Sequence, residues 1–141
     1  MTPEPEALEL VPLGRMTIHL RKPFVLAGVP AGTRVIVEVE DATFDGDRLR
    51  GKAIGSANAD WATIAPNGTA ALDVRALMET DDGALVFIQY TGRLHLAAQT
   101  TYATPLFETG DERYAWLNQV QAVGKGRTDG HTLVYDVLEL R

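Results

Sequence analysis

Between Thr33 and Glu40 the chain alternates. Val35, Val37 and Val39 fall on one side, and Arg34, Ile36, Glu38 and Glu40 on the other. A period of two is the mark of a half-buried strand. Arg48 to Ile54 returns beside it with Leu49, Gly51 and Ala53 on one face. Trp61–Ile64 and Thr69–Glu79 form the next pair. In the latter, Leu72, Val74, Ala76 and Met78 alternate with Ala71, Asp73, Arg75 and Leu77. Ala70–Leu72 and Arg75–Glu79 also have fair helix propensity, but the alternation and the flanking turns favour strand. Ala84–Leu96 is rich in β-branched and aromatic residues, and Gly92 within it predicts a bulge or sharp bend. Leu8–Leu13 and Arg15–Leu20 predict one or two further strands, and Pro23, Gly28, Pro30 and Gly32 a long connection. Thr101–Glu108 reads as extended, and Asn118–Val123 with His131–Leu140 as a closing hairpin.

The turns organise these strands. Asp45-Gly46, Asn67-Gly68, Asp82-Gly83 and Asp129-Gly130 all tolerate positive φ and suit tight hairpins. Only Asp111–Leu117 predicts a helical turn, with Asp111 as its cap. The fold class is therefore all-β: a single antiparallel β-barrel of roughly eight to ten strands with at most one short helix.

Composition narrows the function. The 141 residues predict one domain over 1–141, its acidic, proline-containing first six residues flexible. There is no cysteine, which removes disulfide and thiolate chemistry and suits a cytoplasmic location. The start has no basic-then-apolar leader, and no apolar run approaches the roughly 20 residues that span a bilayer, so no membrane partner is expected. A net charge of −6 repels phosphate backbones, so nucleic acid is not expected either.

Candidate chemistry is sparse. His19, His95 and His131 show no His-x-His or His-x-x-x-His spacing, so no metal and no cofactor is expected. Ser56, the only serine, lacks the setting of a nucleophile elbow. Asp60 beside Trp61 is the leading candidate. A carboxylate next to a large apolar ring is desolvated, which raises its pKa and poises it for proton transfer. The alternative is that Asp60 caps a turn while Trp61 fills core. Tyr90, mid-strand, can donate to a ligand carbonyl or simply pack. Tyr102, Phe107, Tyr114, Trp116 and Asn118 form an aromatic stretch suited to a lid over one barrel end and to substrate binding, with Glu108 as a second carboxylate. The same stretch also suits a satellite cluster or a subunit interface. Asp81-Asp82 reads as a solvated turn.

Several segments recur together in one order: Asp45–Gly51, Ala59-Asp60-Trp61, Asn67-Gly68 with Leu72–Arg75, Thr80–Ala84, Tyr90-Thr91-Gly92, Pro105–Gly110 and Tyr114–Asn118. In them the chain resembles the bacterial and fungal proteins of domain-of-unknown-function family 3237, from about Leu8 to Leu140. It departs at Gly55–Ala59, where a glycine-rich step is expected. The resemblance implies a small β-barrel that often self-associates, a dimer above all, and carries no settled activity. The expected function is cofactor-independent proton-transfer chemistry on a small apolar or aromatic molecule: isomerisation, cyclisation, or hydration and dehydration. Asp60 or Glu108 would move the proton, and Tyr90 or Asn118 would polarise a carbonyl. The alternatives are a non-catalytic carrier or sensor of a small hydrophobic ligand, and an interaction module with a packed interior.

Overall fold

The alternating segments pair into a sheet that closes on itself. The computed structural model describes all 141 residues. Its strands are β1 (Leu10–Leu20), β2 (Phe24–Val29), β3 (Gly32–Asp45), β4 (Arg50–Ala53), β5 (Ala59–Ile64), β6 (Ala70–Thr80), β7 (Leu85–His95), β8 (Thr100–Ala103), β9 (Leu106–Glu108), β10 (Ala122–Thr128) and β11 (Thr132–Leu140). A 3-10 helix spans Glu112–Gln119. Eight antiparallel strands form a closed ring in the order β3-β1-β11-β10-β8-β7-β6-β5. Three short strands supplement it. β4 continues the position of β5 between β3 and β6, β9 continues that of β8 along β7, and β2 extends from β3 alone.

Three expected hairpin glycines take positive φ: Gly68 at +86°, Gly83 at +90° and Gly130 at +93°. Elsewhere the local reading shifts. Leu8–Leu13 and Arg15–Leu20 are one strand from Leu10, with a bulge between Pro12 and Gly14. The expected long connection after Pro23 contains β2, which doubles back on Gly32–Ile36 as a hairpin. Asp45-Gly46 is not a two-residue hairpin, because β3 runs through Asp45 and β4 begins only at Arg50. The β6–β7 register runs unbroken through Gly92. That glycine is needed for closeness rather than for a bulge: a Cβ there would lie 2.0 Å from the Tyr102 carbonyl oxygen.

The two barrel ends differ. At one end the 3-10 helix crosses the opening. Asp111 caps it, accepting from the Arg113 amide at 2.9 Å. Tyr114 donates to Asp82 at 2.8 Å, and Thr80 donates to the same carboxylate oxygen at 2.6 Å, pinning the helix to the β6–β7 turn. Those two hydroxyls hold the Asp82 carboxyl below its ordinary range. Leu117 of the helix is buried together with Leu13, Leu49, Val86 and Phe107, so this end is plugged by core. Toward the other end β2 pairs with Gly32–Ile36 of β3, beyond the Val39–Asp45 part of β3 that pairs with β1.

Candidate functional site

Above the plug the inward positions leave space. The floor of the cavity is Met16, Phe44, Met78 and Ile88, and its walls climb to Leu20, Val37, Leu72 and Leu133. Seventeen of the nineteen lining residues are hydrophobic, and Asp60 is the only charged one. The space open to the centre of a water molecule is about 90 Å³. That is smaller than the roughly 300–1,000 Å³ of typical small-molecule pockets, so a ligand larger than a few heavy atoms needs the surrounding aliphatic side chains to shift.

Asp60 enters this space through a gap in the ladder. β5 pairs with β6 at Ala59↔Arg75 and Asp60↔Val74, then resumes only at Thr63↔Ala71. The Asp73 amide falls within the interruption, and Asp60 Oδ1 accepts from it at 3.0 Å. The carboxylate thus replaces a backbone partner while its body faces Val37, Val74 and Leu72. Burial pushes the Asp60 carboxyl up to about 6, more than the Asp73 amide pulls it down. Near neutral pH both its protonation states are populated.

Two phenols share the space. Tyr90 on β7 and Tyr135 on β11 stand edge to face, ring centroids 5.8 Å apart. Burial raises the Tyr90 hydroxyl well above its ordinary value and the Tyr135 hydroxyl to about 12, so both stay protonated. Nearby Asp60 adds to both shifts. Thr101 and Tyr90 lie close enough to the Tyr135 hydroxyl to pull its pKa down a little, yet neither meets hydrogen-bond geometry. The Tyr135 hydroxyl and Thr101 Oγ1 are both buried without a partner. Gly126 on the neighbouring strand makes room for them, since a Cβ there would lie 2.8 Å from both Thr101 Oγ1 and the Tyr135 ring.

Asp60 and Tyr90 are therefore brought together, and the other residues singled out in the sequence lie elsewhere. Trp61 points outward and is 49% exposed. Tyr102 is on the outer surface against His95. Phe107 is buried in the plug, edge to face with Phe44. Glu108 is exposed on β9. Tyr114 bonds Asp82, and Trp116 lies under the Arg48 guanidinium at 4.8 Å. Asn118 spends its amide on the backbone of Thr109, as acceptor at 2.8 Å and donor at 3.0 Å. Of the aromatic stretch, Phe107, Tyr114 and Trp116 lie at the plugged end, Tyr102 lies on the outer wall, and none of them lines the cavity. A wider but open groove at the plugged end, about 590 Å³, is bounded by Arg48, Trp116, Glu139 and Arg141. Its charges satisfy one another: Arg48 and Arg141 both bond Glu139. His19 pairs with Asp41 at 2.5 Å, which raises its pKa, away from the lumen residues. No group of three or more His, Asp or Glu side chains is placed to hold a metal ion.

Sequence reasoning missed Tyr135 and Thr101. The signal appears once β10 and β11 are put in register: Tyr135 stands opposite Gly126, and its ring covers Gly126 and Gly124.

The family model described as "Protein of unknown function (DUF3237)" matches residues 8–140. The chain belongs to the DUF3237 family. A solved β-barrel-like protein from Acinetobacter baumannii is 32% identical to this DUF3237 chain and superposes with a TM-score of 0.88, covering 99% of this chain and all of that one. A UPF0311 protein of Rhodopseudomonas palustris is 27% identical over 125 residues, 77% of this chain and 81% of that protein. A protein named hydroalkoxylation enzyme from Penicillium herquei is 35% identical over 81 residues, 57% of this chain and 46% of that protein.

Proposed function

We propose that this DUF3237 barrel is a cofactor-independent enzyme that takes a small apolar or aromatic molecule into its lumen and moves a proton on it with Asp60. The observation that carries this reading is a single carboxylate, its pKa raised to about 6, in an otherwise uncharged and almost wholly apolar cavity. Perturbed carboxylates in enclosed space are a recurrent feature of acid–base sites. The Penicillium relative's name supports one member of the expected reaction class, addition of an O–H across a C=C bond. In such a ring closure, the Asp60 carboxylic acid gives its proton to one carbon of an electron-rich alkene. The substrate's hydroxyl oxygen bonds the other carbon, and the hydroxyl proton returns to the carboxylate. Atoms balance within the substrate, and Asp60 ends as it began. Glu108 and Asn118, outside the lumen, have no part in this reading.

A carrier of the same ligand needs the lumen but not the titrating carboxylate. Native mass spectrometry of the purified protein, followed by incubation of the bound compound with fresh protein, separates the two. Conversion of the compound to an isomer supports catalysis, and release unchanged supports the carrier.

The expected self-association is assigned to the free edge of β2. That strand, Phe-Val-Leu-Ala-Gly-Val, carries no charge and hydrogen-bonds only to β3. Phe24 and Val25 on it are 59% and 60% exposed. Uncharged open edges pair readily with another strand, and a second copy of β2 about a two-fold axis is self-complementary.

A further inference from the structure

We propose that the Tyr135 hydroxyl is the hydrogen-bond donor to a substrate oxygen, which restricts the ligands of this lumen to molecules carrying a phenolic, enolic or carbonyl oxygen on an apolar body. The inference rests on the reading of the lumen as a ligand site. Tyr135 is wholly buried, lines the cavity, and has no hydrogen-bond partner. Buried hydroxyls are nearly always bonded, and leaving one unpaired carries a desolvation cost. Thr101 Oγ1 beside it is unpaired as well. Thr101 lies behind the cavity lining, so the orphaned hydroxyl carried by a residue of the apolar wall is that of Tyr135, and it marks a place where an oxygen from outside the chain completes the bonding. The surroundings fit that role. Gly126 opens the seat, and the Tyr90 ring holds the Tyr135 phenol edge to face. Asp60 opens into the same cavity. A ligand oxygen held by Tyr135 is thereby presented to the one group in the lumen that can take or return its proton, and charge developing on that oxygen is met by a donor already in place.

Fluorescence titration with 2-naphthol and with naphthalene tests this directly, because the two differ by one hydroxyl. Wild-type protein is expected to bind 2-naphthol about tenfold more tightly than naphthalene, the worth of one buried hydrogen bond. Tyr135→Phe is expected to bind both alike and to unfold at no lower temperature, since it removes an unsatisfied group while keeping the ring. Equal binding of the two probes by the wild type would overturn the Tyr135 subsite, leaving an orphan served by water, while the apolar-ligand reading survives. A tenfold preference retained in Tyr135→Phe would also overturn it. Failure of both probes to bind would overturn the subsite and the ligand-site reading together.

Discussion

Replacing Asp60 by asparagine should make the protein more stable at neutral pH. The side chain keeps its shape, and its amide oxygen can still accept from the Asp73 amide, so the perturbation is the charge alone. The ordinary carboxyl value is 3.8, and burial moves it to about 6 in the folded state. The folded protein therefore holds this proton more tightly than the unfolded chain does. Below pH 3.8 both states are protonated and the group contributes nothing adverse. As pH rises from 3.8 to 6 the unfolded chain ionises first, and stability falls; above 6 the loss is complete. At 1.36 kcal/mol per pKa unit the total is about 2–3 kcal/mol. Urea unfolding of wild type and Asp60→Asn at pH 3.5, 5 and 7.5 measures it. The two should coincide at pH 3.5 and separate progressively, with the variant about 2–3 kcal/mol the more stable at pH 7.5. All other titrating groups are shared, so they cancel in the difference. A gap that stays constant with pH, or a variant less stable than wild type at pH 7.5, would refute the argument that Asp60 is desolvated.

Other substitutions probe the frame around the lumen. Asn58 is buried, donating to the Ile54 carbonyl at 2.9 Å and accepting from the Leu77 amide at 2.7 Å, so it latches the β4–β5 connection over β6. Asn58→Ala leaves both groups unpaired and should cost about 2–4 kcal/mol in chemical denaturation. Gly126→Val crowds Tyr135 and Thr101 and should cost about 1–3 kcal/mol, with a larger loss of 2-naphthol than of naphthalene binding. Val25→Lys places a charge on the β2 edge and should shift light scattering to the monomer mass without changing thermal stability beyond the effect of dissociation.

Much of the fold was legible because it rests on short-range chemistry. Alternation in β3, β6 and β7 and the glycines at Gly68, Gly83 and Gly130 encode strands and their turns locally. β2 was hidden because its residues face solvent on both sides and sit between prolines, so neither alternation nor burial marks them. Asp60 was found from its neighbour Trp61, but for a reason the structure changes. In a strand, adjacent residues face opposite ways, so Trp61 points out and cannot desolvate Asp60; Val37, Leu72 and Val74 from other strands do so. The aromatic stretch was read as a lid over the pocket, whereas none of its residues lines the cavity; which barrel end a segment reaches depends on strand direction around the ring, which no local pattern records. Tyr135 depends on two glycines about ten residues away across β10, a long-range fit visible only once the strands are paired.

The proposed role of Asp60 is to move a proton on a ligand inside this barrel. The most direct measurement is to incubate wild type and Asp60→Asn with a panel of phenols bearing an ortho alkenyl chain and to follow formation of the cyclic ether of identical mass by chromatography. Ring closure is expected in the wild type, with a rate at least about a hundredfold lower in Asp60→Asn, the usual loss when a general acid–base group is removed. Equal rates in the two proteins would contradict it.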